Sequence, residues 1–226
     1  MKNLIKNILR PFIPQKVVNL RRRLLGKKQL NEWQKKGFPC SLQVIEWQKR
    51  GCPVPPPEII KQITVQEYQQ KYGYTTLVET GTYLGDMVEA QKNKFKKIIS
   101  VELSIDLFEK AQKRFNNEKS INILQGDSGE VLPVILKDIN EPAIFWLDAH
   151  YSAGITAKGD KECPIYEELD AILKLKKFNH IILIDDARCF TGRADFPSVE
   201  KLTRYVRSNN ANYKVELKND IIRYVI

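Results

Sequence analysis

The chain has 226 residues, 42% hydrophobic and 28% charged, a balance that builds a sizeable core and excludes wholesale disorder. Its four cysteines, Cys40, Cys52, Cys163 and Cys189, form no C-x-x-C pair. That excludes a zinc ribbon or redox dithiol and makes a cytoplasmic protein with inert free thiols the expectation. The net charge of +10 is lopsided: residues 1–60 hold 13 Lys/Arg against 3 Asp/Glu, and residues 61–226 hold 24 of each. A neutral main domain argues against nucleic acid as a partner, since such a partner needs a basic face on the domain itself.

Residues 1–30 place Leu4/Ile5, Ile8/Leu9 and Phe12/Ile13 four apart among Lys2, Lys6 and Arg10, one apolar face of a basic helix. Pro11 and Pro14 bend or end it. Such a segment is expected to contact anionic membrane peripherally; the blander alternative is a lid or dimer contact. Asn3, Asn7 and Arg10 interrupt any secretory core, and no run of about 18 apolar residues occurs to span a membrane. The motif E-W-Q-K-x-G-x-P then occurs twice, at Glu32 and at Glu46, and reads as a duplicated turn. Pro53, Pro55, Pro56 and Pro57 form a stiff linker, so residues 1–60 are set apart from a domain at 61–226.

From there strands and helices alternate. Thr64 is expected to cap a helix ending at Tyr72. Strands are expected at 75–78, 98–102, 121–124, 143–147 and 181–184, with helices between them. Helices are also expected from Pro164 to about Lys177 and from Pro197 onward. Residues 213–217 and 221–225 read as a closing hairpin. The predicted fold is α/β: doubly wound, Rossmann-like, a mostly parallel seven-stranded sheet with a C-terminal antiparallel hairpin, plus the basic N-terminal helical segment.

Five successive strands end in acidic residues: Glu79, Glu102, Asp127, Asp148 and the pair Asp185–Asp186. Clustered carboxylates cost repulsion and folding does not need them, so they point to ligands at the carboxyl edge of the sheet. The first turn, Gly81-Thr82-Tyr83-Leu84-Gly85, lets backbone approach a ligand closely, and Glu102 can accept both hydroxyls of a ribose. The dinucleotide G-x-G-x-x-G pattern is absent, with Tyr83 at its second glycine, and so is the P-loop.

The blocks Glu79-Thr80-Gly81-Thr82-Tyr83-Leu84-Gly85, Val101-Glu102-Leu103-Ser104, Gln125-Gly126-Asp127-Ser128 and Phe145-Trp146-Leu147-Asp148-Ala149-His150 occur in that order. Over residues 64–226 the chain is similar to class I S-adenosylmethionine-dependent methyltransferases. It most resembles the metal-dependent O-methyltransferases of the catechol, caffeoyl-CoA and macrocin-type sugar groups. The resemblance implies an enzyme that binds S-adenosylmethionine through Glu79, Gly81, Thr82, Tyr83, Gly85, Glu102, Leu103, Asp127 and Ser128. Glu79 would reach the methionine end, Glu102 the ribose, and Asp127 and Ser128 the adenine. Asp148, Asp185 and Asp186 would hold a cation. Three carboxylates without sulfur or imidazole suit Mg²⁺.

His150, two residues past Asp148, is the candidate base, and these two are the catalytic candidates. An adjacent cation would lower the acceptor hydroxyl's pKa enough for an imidazole to help. The loop 151–163, with Gly154 and Gly159, is expected to cover a small-molecule or glycan acceptor. Arg188 and Arg193 could meet an anionic group on it or be solvated surface charge. His180, ahead of a buried strand, reads as structural. A nucleic-acid methyltransferase lacks its Asn/Asp-Pro-Pro block here, and a non-catalytic membrane-surface scaffold is the alternative from another class. The sequence permits a homo-oligomer without specifying one.

Overall fold

A computed structural model describes residues 28–38, 41–149 and 163–226. The expectations placed on residues 1–27, on His150 and on the loop 151–162 lie outside the described residues. The chain divides into two compact units, Met1–Ile63 and Thr64–Ile226.

In the first unit, residues 28–35 (α1) and Leu42–Lys49 (α2) are helical. Ser41 caps α2, its side chain accepting from the Val44 N–H. Both copies of the E-W-Q-K-x-G-x-P motif are helix C-caps. Gly37 and Gly51 adopt φ of 74° and 84°, where a Cβ would be strained. The N–H of Gly37 donates to the Gln34 carbonyl and that of Phe38 to Trp33; Gly51 and Cys52 repeat the pattern onto Gln48 and Trp47, all at 2.9–3.1 Å. This paired bonding satisfies carbonyls that the helix end would otherwise orphan. It also turns the chain so that Trp33, Phe38, Val44 and Trp47 gather with Ile60 and Ile63 in one buried cluster. The Trp47 indole N–H donates to the Pro53 carbonyl at 2.7 Å, tying the second turn to the proline segment.

The second unit carries one seven-stranded sheet in the order β3-β2-β1-β4-β5-β7-β6. The strands are β1 (Thr76–Thr80), β2 (Lys97–Glu102), β3 (Ile121–Gln125), β4 (Ala143–Leu147), β5 (Ile181–Ile184), β6 (Lys214–Lys218) and β7 (Ile221–Val225). The first five pair in parallel, and β7 joins β5 and β6 antiparallel. The central strands β1, β4 and β5 are buried along their whole length, as a sheet covered on both faces requires.

One face packs Leu77, Ile98, Ile144 and Leu183 against Val65 and Tyr68 of α3 (Glu58–Tyr72), Val88 of α4 (Asp86–Gln91) and Ala111 of α5 (Ile105–Arg114). The other packs Val78, Phe145, Ile182 and Tyr224 against Leu132 of α6 (Ser128–Ile135), Leu169 of α7 (Ile165–Lys174) and Leu202 of α8 (Val199–Asn209). The doubly wound expectation holds, hairpin included. Thr64 is not a cap: α3 starts at Glu58, and Thr64 is buried in its interior. The helix expected from Pro164 stops at Lys174. β1 runs to Thr80, so Glu79 lies within the strand.

Candidate active site at the carboxyl edge of the sheet

β1 delivers the chain to a turn held in left-handed conformations: Gly81 has φ 84°, Tyr83 φ 51° and Gly85 φ 80°. A Cβ on Gly81 would stand 2.4 Å from the Asp148 carbonyl oxygen, so only glycine lets β1's exit pass β4's. A Cβ on Gly85 would stand 2.7 Å from the Phe115 ring. The N–H groups of Gly81 and Thr82 both donate to the Val101 carbonyl, fixing the turn against β2.

At the end of β2, Glu102 is 6% exposed. The Tyr83 N–H donates to its Oε2 at 2.7 Å and the Ser104 N–H to its Oε1 at 2.9 Å. The carboxylate is therefore oriented by backbone, and each oxygen keeps a lone pair for a further donor. Leu103 beside it is half-buried, and Tyr83, Leu84 and Ile105 leave apolar surface exposed around it.

Glu79 faces Ser100 across the β1–β2 register. The Ser100 hydroxyl donates to Glu79 Oε2 at 2.5 Å and lies 2.6 Å from the Thr82 hydroxyl. Glu79 is 1% exposed. Burial pushes its carboxyl up to about 8; the Ser100 hydrogen bond opposes that rise and the charge of Glu102 adds to it. Sequence reasoning missed Ser100, whose signal was a polar residue inside the apolar run of β2.

Past β3, Asp127 caps α6, its Oδ1 accepting from the Gly129 N–H at 2.8 Å. Ser128 is buried, and its hydroxyl has no hydrogen-bond partner among the described residues. Asp148 follows β4 directly, half-buried, its N–H bonded to the Thr80 carbonyl. The fold thus brings Glu79, Glu102, Asp127, Asp148 and Asp185 to one edge of five adjacent strands. A nucleoside cofactor fits this edge: a fixed carboxylate for hydroxyls, an apolar ledge beside it, and a buried unsatisfied hydroxyl at the neighbouring strand end.

The acidic trio behaves differently. Asp185 is fully buried and Asp186 is 9% exposed. Asp186 precedes the short 3-10 turn Ala187–Cys189 but makes no side-chain cap to it; it sits at φ 51°, ψ 44°, and its carboxylate takes the Arg188 Nη1 at 2.5 Å. The same Nη1 bonds Asp220, from the β6–β7 turn. Burial works against the Arg188 charge, but the bonds to Asp220 and then Asp186 outweigh it and hold the guanidinium pKa above its ordinary value. Among the described residues no three carboxylate, imidazole or thiol groups are placed to hold a metal ion. Of the trio expected to hold a cation, Asp186 is the one that Arg188 engages, together with Asp220. Asp220 completes this cluster, although by sequence it reads only as a turn residue.

Arg193 is exposed. His180 is structural, as expected: it is 1% exposed, and its Nδ1 accepts the Ala143 N–H at 3.2 Å. Burial drives its pKa down to about 4, and protonating Nδ1 would forfeit the bond it accepts. Burial pushes the Cys163 thiol up to about 12, the reverse of what a nucleophile needs.

No protein-family model matches the chain, and no curated protein matches it. Solved structures do. An O-methyltransferase from Bacillus cereus in complex with S-adenosylhomocysteine has a TM-score of 0.55 at 15% identity, over 87% of this chain and 96% of that one. The O-methyltransferase TomG from Streptomyces achromogenes, involved in tomaymycin synthesis and solved with S-adenosylmethionine, has 0.54 at 13% identity, over 80% and 85%. At such identities what is shared is architecture, and this chain has the fold of the class I S-adenosylmethionine-dependent O-methyltransferases.

Proposed function

We propose that the protein is an S-adenosylmethionine-dependent O-methyltransferase acting on a hydroxyl of a sugar or glycan-like acceptor. The observation that carries this reading is Glu102: a carboxylate at the end of β2, 6% exposed, held through both oxygens by backbone amides beside a turn with three positive φ angles. When bound, S-adenosylmethionine supplies a methyl group activated on a sulfonium.

The chain's own residues bind and orient it. Glu102 accepts the ribose hydroxyls. Leu103 offers an apolar face to the base, and Asp127 and Ser128 flank it. Gly81, Thr82, Tyr83 and Gly85 shape the floor under the ligand. Glu79, protonated at neutral pH by its burial, gives up that proton when a cationic group comes beside it. On the acceptor side, His150 is the base that takes the hydroxyl proton, with Asp148 as the second catalytic candidate; such a base contributes about 10²- to 10⁴-fold. No step is assigned to Mg²⁺, because the described carboxylates do not assemble a site for it. No described helix is long and apolar enough to cross a membrane.

Isothermal titration with S-adenosylhomocysteine, and separately with NAD⁺, tests the reading. We expect S-adenosylhomocysteine to bind and Glu102→Ala to abolish binding while the protein stays folded. Binding of NAD⁺ in its place, or S-adenosylhomocysteine binding that ignores Glu102, refutes it.

A further inference from the structure

Two acids follow β5 and an arginine follows them: Asp185, Asp186, Ala187, Arg188. The backbone works to bring these charges together. Asp186 accepts a left-handed conformation, strained for a residue with a Cβ, and its carboxylate reaches Arg188 Nη1 at 2.5 Å. On the facing hairpin, Asn219 and Asp220 have φ 54° and 63°, the consecutive left-handed pair of a tight turn matched to sheet twist. That turn is clamped to the residues after β5. The Asp220 carbonyl accepts the Ala187 N–H and its Oδ1 the Arg188 N–H, both at 2.8 Å, and its Oδ2 binds the guanidinium. The Asp220 and Asp186 side chains are 3% and 12% exposed, and that of Arg188 37%.

Two ionised carboxylates this buried, both bonded to one guanidinium nitrogen, are stabilised by a cation beside them. A divalent ion is one solution; a guanidinium tethered to the same chain is another, and it needs no free ion in solution. The second is what the fold has built, from residues on β5's exit and on a hairpin 32 positions further along the chain.

We propose that the Arg188 guanidinium is the resident cation at the carboxyl end of β5, an internal counter-ion lodged where the acidic pattern invites a divalent metal, so that the protein binds no such ion there. Acceptor-side chemistry then runs on a charge whose position is fixed by two carboxylates and is independent of divalent ion supply. The inference concerns the cation alone and stands whether or not the cofactor reading does.

The probe is Mn²⁺, titrated into the full chain and followed by the loss of the free-ion paramagnetic resonance signal. Wild type is expected to show no saturable binding. Arg188→Gln, checked for folding by circular dichroism, exposes Asp186 and Asp220 to the ion and is expected to gain affinity by about 10- to 1000-fold, the range over which one charge at contact distance alters a carboxylate's affinity for a proton. Arg188→Lys keeps the charge and is expected to behave as wild type. Saturable Mn²⁺ binding to wild type that Asp186→Asn removes overturns the proposal, as does a folded Arg188→Gln that gains nothing. If Arg188→Gln does not fold, the wild-type titration decides: no saturable binding supports the proposal.

Discussion

Glu79 gives the sharpest test of the packed sheet, because a carboxyl group stands where the fold has otherwise excluded water. Its pKa rises from 4.5 in the ordinary case to about 8, chiefly by burial. That is three to four pH units, and at 1.36 kcal/mol each the ionised form costs about 4 to 5 kcal/mol in the folded state. The folded protein keeps a proton that the unfolded chain has released across the window from pH 4.5 to 8. Stability supplied by this group is therefore complete below pH 4.5 and is lost as pH rises through 8. Glu79→Gln keeps the shape and the ability to bond Ser100 but has nothing to ionise. Urea unfolding followed by circular dichroism at pH 5.5, 7 and 9 should show the variant gaining on wild type as pH rises, by up to about 4 kcal/mol at pH 9. A difference between the two proteins that does not change with pH refutes the reasoning, since it leaves no buried ionisation at that site.

Three further outcomes follow from the same geometry. Gly81→Ala forces a Cβ to within 2.4 Å of the Asp148 carbonyl at φ 84°; it should lower stability by about 2 to 4 kcal/mol in urea and abolish S-adenosylhomocysteine binding in the same preparation. Gly51→Ala removes the left-handed residue from the second helix cap and should cost about 1 kcal/mol, read as faster hydrogen exchange at the Gly51 and Cys52 amides. His180, whose folded pKa is held near 4 against an ordinary 6.5, stays neutral when buried. Its contribution is present above pH 6.5 and lost as pH falls towards 4, and His180→Phe should flatten that acid limb of the stability profile.

Much of this protein is legible in its amino-acid order alone. Alternation of apolar runs with amphipathic stretches dictates parallel strands with helices on both faces, and the closing run of alternating residues dictates the hairpin. Acidic residues after apolar runs then fall on one edge of the sheet, because parallel strands all end on the same side. The doubled tryptophan motif reads as a turn for the same local reason: glycine at a helix end relieves a strain that any side chain would add. These features depend on residues within a few positions of one another, and local physics acts on them directly.

What the sequence left undecided depends on residues far apart along the chain. That Glu79 should be protonated follows only from its place on a buried strand beside Ser100, 21 positions away. That Asp186 should pair with a guanidinium follows from Arg188 and from Asp220 on another element. Spacing counts carboxylates, but it cannot say which cation neutralises them, because the competing arginine and its second acid meet only when the hairpin packs against β5. Apolar runs that each end in an acid already mark the edge of the sheet where the carboxylates gather. The protonation and pairing of the groups there emerge only in the folded chain, since both are set by burial and by charges brought to contact distance across the fold.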